Sequence, residues 1–290
     1  MFDLRYHVAS LTAVFLALVI GIVVGVGISD RGLIDTAKKS LLERRVALLQ
    51  SQLDQASKTS AQTEREQKAA ELYINETYPV LVRNRLHNKR IAVVFVGSVD
   101  GGIRSTIEQT LTDAGAQQVR LRAVTVPVDV PGVEAKLAAS QDTQGFRGRS
   151  NLESLGRELG EELVAGGETP LWDALSNTLV EERVGGSKQP VDAVVLARTA
   201  TPQRGPGGRL LLGLYQGLTA TGVPAVGVET TTAARSAVAV YSGAGLSSVD
   251  DLDRPMGQLA LVLLLDRASP GQYGLRASAD ASLPPFPTRG

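Results

Sequence analysis

The sequence predicts an α/β protein in three parts: a single N-terminal transmembrane helix, a long coiled-coil helix, and a Rossmann-like, mainly parallel, three-layer α/β domain. Three observations predict it. Val8 to Ile28 is a run of 21 residues without a charge, Pro, Asn or Gln. Leu33 to Val96 contains no glycine, and the first proline of the chain is Pro79. After Asn88 the texture changes to short β-branched apolar runs separated by helical segments and glycine turns. The expected boundaries are 1–30 for the N-terminal tail and transmembrane helix, 31–87 for the coiled-coil stalk, 88–268 for the α/β domain and 269–290 for a flexible Pro-rich tail.

The apolar run reads VASLTAVFLALVIGIVVGVGI. At roughly 1.5 Å per residue it reaches about 31 Å, the hydrocarbon thickness of a bilayer. Ser10 and Thr12 are its only polar side chains, and a helix satisfies such hydroxyls on its own backbone. A buried core helix of this length would ordinarily keep a polar face. A cleaved signal peptide would have Arg5 as its only cation, an overlong apolar region and an exit at Gly25-Val26-Gly27-Ile28 without an A-x-A-like site, so an uncleaved anchor is favoured. Ala9, Ala13, Ala17, Gly21 and Gly25 recur every fourth residue, a stripe of the kind through which membrane helices pair.

Charge leaves the orientation open. Arg5 precedes the run, while Arg31, Lys38, Lys39, Arg44 and Arg45 follow it, which by the positive-inside rule would retain the C-terminal part in the cytoplasm. Long domains translocate largely regardless of that rule, and Asp30 and Asp35 offset the first cations. Those cations are placed to meet anionic headgroups, with ordinary solvated charges on a helix the equal alternative for Arg44 and Arg45.

The breaker-free segment from Leu33 is rich in Leu, Ala, Glu, Lys, Arg and Gln, strong helix formers. Leu42, Val46, Leu49 and Leu53 recur at alternating spacings of four and three, the seam of a coiled coil. The same register then passes through Ser60, Thr63 and Gln67. Either the seam loosens there, or its ends are two apolar patches on a solvated helix.

Within the globular part, Arg90–Gly97 reads as a strand buried on both faces. Ser98 to Gly102 is a turn, Ile103 to Ala114 a helix and Val119 to Val126 a strand. Pro127 to Ser150 reads as a loop, followed by helices at Leu152–Val164 and Leu171–Glu182. Strands are expected at Val191–Arg198, Val223–Glu229 and Ser236–Tyr241, with helices at Arg209–Thr221 and Pro255–Arg267. Such a domain presents strand-end loops on one edge, which makes Ser98, Asp100, Arg198 and Glu229 the candidate pocket edge.

Composition narrows the chemistry. Lys+Arg and Asp+Glu balance at 30 each, and no zinc finger, aromatic RNA motif or basic arm is present, so nucleic acid is not an expected partner. The chain has no Cys, two His and two Met. No Ser-His-Asp set can form within the α/β domain and no thiol nucleophile exists, so no catalytic residue is assigned. The Gly97–Gly102 loop lacks both GxGxxG and GxxxxGK[ST], and Ser98 or Asp100 reads better as a helix cap. Asp250, Asp251 and Asp253 lack calcium-loop spacing and read as the capped entry to the helix near Pro255. No metal or cofactor residue is assigned either.

The N-terminal MFDLRYHVASLTAVFLALVIGIVVGVGISDRGL, the heptad helix and the late SSVDDLDRPMGQLALVLLLD together resemble the MctB-like family, actinobacterial proteins named for mycobacterial copper transport protein B. The resemblance implies a single-pass cell-membrane protein with a cytoplasmic N-terminus and its bulk outside the cytoplasm. It also implies a place in the cell envelope, in copper homeostasis or efflux and, for some members, in cell division through a membrane partner. Copper is suggested only by the family name, since the sequence offers no cluster of soft ligands. The expected protein is therefore a non-catalytic, homodimeric, membrane-anchored stalk presenting an extracytoplasmic α/β binding domain to an envelope partner. The alternative is a component of copper or small-solute transport.

Overall fold

The computed structural model describes residues 4–27, 31–139, 141–148, 150–185 and 188–286, with backbone alone for 4–8, 26–27, 31–38 and 141–142. Ile28 and Asp30 at the exit of the apolar run, and the last four residues of the chain, lie outside the described residues, as do the side chains of Arg5, His7, Arg31, Asp35 and Lys38. The chain divides into two units, Met1–Ala70 and Glu71–Gly290.

The first unit holds α1 (Leu4–Gly27) and most of α2 (Arg31–Val82). It corrects the expected transmembrane helix: among the described residues, no helix is long and apolar enough to cross a membrane. The second helix is long, at 52 residues, but charged side chains recur along it.

The second unit is a seven-stranded sheet in the order β3-β2-β1-β4-β5-β6-β7. Its strands are β1 (Arg90–Val96), β2 (Gln117–Val124), β3 (Val180–Val184), β4 (Ala193–Arg198), β5 (Ala225–Val228), β6 (Ser247–Val249) and β7 (Gln272–Tyr273). The helices are α3 (Gly101–Asp113), α4 (Val130–Ala138), α5 (Leu152–Ala165), α6 (Pro170–Ala174), α7 (Gly205–Ala220), α8 (Val238–Gly243) and α9 (Pro255–Leu265). The sheet is mixed: β3 runs antiparallel to β2, and the other neighbours are parallel.

Period-two alternation divides the strands between two cores. Ile91, Val93 and Phe95 face one cluster with α3, α9 and the last turns of α2, through Tyr78 and Val82. Ala92, Val94 and Val96 face the other, with α5, α6 and α7. Both faces of β1 are buried, which is why its sequence is an unbroken apolar run. A buried Phe such as Phe95, 0% exposed, contributes about 2–3 kcal/mol through removal from water.

Several local expectations change. The helix expected over Leu171–Glu182 stops at Ala174, and Val180–Val184 is the antiparallel edge strand. The strand expected over Ser236–Tyr241 is helix α8. The expected 127–150 loop contains α4, capped by Asp129, and a 3-10 turn at Gln141–Phe146. The Pro-rich segment after Ser269 adds β7 to the sheet, and Tyr273 bridges to Ala281.

Candidate functional site at the strand ends

The chain leaves β1 towards β2 on one side and returns to β4 on the other, so a topological switch lies between β1 and β4. Open α/β sheets normally offer a ligand crevice there. In this chain the protein fills it. The amides of Thr199 and Ala200 both donate to the Val96 carbonyl at 3.1 Å, and Thr199 Oγ1 donates to the Ser98 carbonyl at 2.6 Å. Gly97 has φ +106°, and a Cβ there would stand 2.8 Å from Ala200 Cβ, so only glycine permits this approach. Asp100 caps α3, its Oδ1 accepting from the Ile103 amide at 2.9 Å. A carboxylate thus sits where a bound phosphate would need free amides. The cavity left between Val96, Arg198, Gln203 and Tyr215 is about 60 Å³, well below the 300 Å³ or so at which small-molecule sites begin.

Arg198 and Glu229 meet on one turn instead. Arg198 Nη2 donates to the carbonyls of Ser236 at 3.1 Å and Arg235 at 3.4 Å. Glu229, 4% exposed, accepts from Ser236 Oγ at 2.7 Å and the Ala237 amide at 2.6 Å. One residue holds the turn's carbonyls and the other its donors. The Arg198 amide also donates to Tyr241 Oη at 3.1 Å, and Tyr241 stacks edge-on against Tyr215 with centroids 6.2 Å apart. The candidate pocket edge is therefore a brace: Ser98 and Asp100 stand exposed at the end of β1, and Arg198 and Glu229 are spent on residues 235–237.

The acidic run after β6 is also structural. Asp250 accepts from the Leu275 amide at 2.8 Å and the Arg276 amide at 3.2 Å. Asp253 accepts from the Thr231 amide at 2.7 Å and Thr231 Oγ1 at 2.6 Å. Burial alone would raise the Asp253 carboxyl, but the Thr231 bonds and the nearby Arg254 hold it below the ordinary range. Asp251 is 0% exposed, and neither carboxylate oxygen has a partner among the described residues. Burial, then the charges of Asp250 and Asp253, push it up to about 6. The expected side-chain cap of α9 is corrected: Arg254 is its N-cap without a side-chain bond, because Asp253 reaches across to Thr231.

The remaining candidates lie on the two long helices. Ala9, Ala13, Ala17, Gly21 and Gly25 are exposed along α1, and a Cβ at Gly21 or Gly25 would meet nothing within 4 Å. Leu42, Val46, Leu49 and Leu53 are all exposed on α2. Sequence reasoning missed Ser236 and Arg276, both partners of Glu229. No motif marks them.

Among the described residues, no group of three or more His, Cys, Asp and Glu side chains could hold a metal ion. His87 is exposed in a turn and Met256 lies in α9. Soft copper sites are built from clustered Cys, Met and His, and these residues do not fit one. A search of the curated proteins found no match. The family model described as copper transport outer membrane protein, MctB, matches residues 1–284. The chain accordingly belongs to the MctB family of envelope copper transport proteins.

Proposed function

We propose that the chain is a non-catalytic member of this family, in which α2 pairs with a second copy and the α/β domain engages another protein of the envelope. The observation that carries this reading is the apolar stripe on α2: Leu42, Val46, Leu49 and Leu53 expose 62, 49, 55 and 68% of their surface. Their alternating spacing fits the same stripe on a second copy, and burying each leucine there would contribute about 1.5–3 kcal/mol. At the strand ends, Glu229, Asp250 and Asp253 are committed to loop contacts, which favours a binding surface over a catalytic one. A part in cell division through the envelope partner belongs to the same reading.

The test is light scattering and crosslinking of the full chain, with and without Leu49→Glu and Leu53→Glu together. The expected result is a dimer that becomes a monomer in the variant with helix content retained. A monomeric wild-type chain, or a dimer indifferent to both charges, overturns the pairing. Movement of copper or another small solute is the second reading, favoured by family membership. It predicts copper sensitivity in a strain lacking the protein.

A further inference from the structure

At the antiparallel edge of the sheet, away from the strand-end loops, a pocket of about 320 Å³ opens between β2, β3 and the segment leading into α6. Arg120, Arg122, Arg183 and Lys188 line it, against the carboxylates of Glu168 and Asp173. The lining therefore carries two more positive than negative charges, in a chain whose formal net charge is zero.

The two central cations are built in rather than laid on the surface. Arg120 and Arg122 are 2% and 3% exposed. Their guanidinium groups are positioned by main-chain carbonyls: Arg120 donates to Leu163 at 2.7 Å and to Gln189, and Arg122 donates to Leu121 at 2.8 Å and Val184 at 2.9 Å. Carbonyls satisfy the N–H groups of Arg122 but do not neutralise its charge, and an uncompensated buried charge is costly. Arg183 has an answering carboxylate on the wall, Asp173 at 2.5 Å. Among the described residues neither Arg122 nor Lys188 has an ion-pair partner, and Arg122 Nε is buried with no hydrogen-bond acceptor at all. Burial, then the charges of Arg183 and Arg120, push the Arg122 guanidinium down to about 10. Packing gains nothing from placing two like charges side by side under one edge strand.

We infer that this pocket binds a tetrahedral oxyanion of the phosphate-monoester class, with Arg122 Nε and the Lys188 side chain as its donors. A dianion matches the two surplus charges, whereas a single carboxylate would leave one unanswered. Arginine forks also match the spacing of phosphate oxygens, and a phosphate monoester carries about −1.5 to −2 charge near neutral pH. The site is independent of the pairing of α2. Its ligand is either a soluble phosphate or the headgroup of an anionic envelope lipid.

The experiment is calorimetric titration of the full chain with inorganic phosphate, and co-sedimentation with phosphatidic acid vesicles against phosphatidylcholine vesicles. Saturable phosphate binding is expected, reduced at least tenfold in Arg122→Gln and several-fold in Lys188→Ala, whose side chain is exposed. Arg157→Ala, on α5 and outside the pocket, is expected to bind as the wild type does. Phosphate binding without a preference for phosphatidic acid vesicles assigns a soluble ligand, and a preference lost in Lys188→Ala assigns the lipid headgroup. Absence of binding in both arms, or binding unchanged by Lys188→Ala and Arg122→Gln, overturns the site.

Discussion

Glu229 and Arg276 form an ion pair at 2.8 Å, with Glu229 4% and Arg276 30% exposed. It is a charge contact rather than an aligned hydrogen bond, since Arg276 Nε lacks a properly directed acceptor. The pair joins the end of β5 to the segment after β7, which the sheet itself grips through only two residues. Arg276 Nη2 adds a bond to the Ala233 carbonyl at 3.1 Å, so one side chain fixes the C-terminal segment and the loop that Glu229 braces.

Arg276→Ala should therefore do more than remove a surface contact. Glu229 would stay buried with its bonds to Ser236 and Ala237 but without its counterion. A loss of about 2–3 kcal/mol is expected, below the cost of breaking a fully buried pair because Arg276 is partly solvated. Urea unfolding measures it, and limited proteolysis should show cleavage moving into residues 270–286. Unchanged stability with unchanged cleavage would mean that β7 alone holds the segment.

Asp251 gives a pH dependence with a defined sign. Its carboxyl titrates near 6 in the folded chain and at about 3.9 when unfolded. Folding takes up a proton between those values, so this group's contribution to stability falls as pH rises from about 4 to about 6 and is then constant, a change of about 3 kcal/mol. Asp251→Asn removes the titration. The stability of the variant relative to wild type should improve by that amount between about pH 4 and pH 7, whatever fixed cost the amide brings. A difference that stays flat across the range would show that the carboxylate has a partner in solution.

Legibility in the sequence followed burial. β1, β4 and β5 are buried on both faces, so their apolar runs were readable. β3 was not, because an exposed edge strand reading Val-Glu-Glu-Arg-Val resembles the end of the helix before it. α8 was read as a strand because a short run such as Ala237-Val238-Ala239-Val240 carries no decisive period. At the strand ends, topology alone singled out Arg198 and Glu229. Their partners could not be found that way: Arg276 lies in a proline-rich stretch and Ser236 in a loop. Arg120 and Arg122 alternate along β2 as solvent-facing residues would, and only folding reveals both as buried.

The four-residue glycine spacing of Gly21 and Gly25 recurs at Gly156 and Gly160 of α5 and at Gly213 and Gly217 of α7. There it decides packing. A Cβ at Gly156 would stand 2.0 Å from the Leu210 carbonyl oxygen, at Gly160 2.6 Å from that of Leu214, at Gly213 2.0 Å from that of Glu153 and at Gly217 2.1 Å from that of Arg157. Each helix thus lays its glycines against the other's backbone, and the obstructing atoms are main chain that cannot rotate away. Gly217→Ala gains about 1 kcal/mol in helix propensity, but it must push the helices apart, loosening Leu155, Leu159 and Leu214 in the core between them. Overpacking of this kind costs about 1–3 kcal/mol and more for a larger side chain, so the order of stability should be wild type, Gly217→Ala, Gly217→Leu. Gly25→Ala, whose added Cβ meets nothing within 4 Å, should leave the unfolding of the α/β unit unchanged. Equal midpoints for Gly217→Ala and Gly25→Ala in urea would show that α5 and α7 pack less closely than the glycine contacts require.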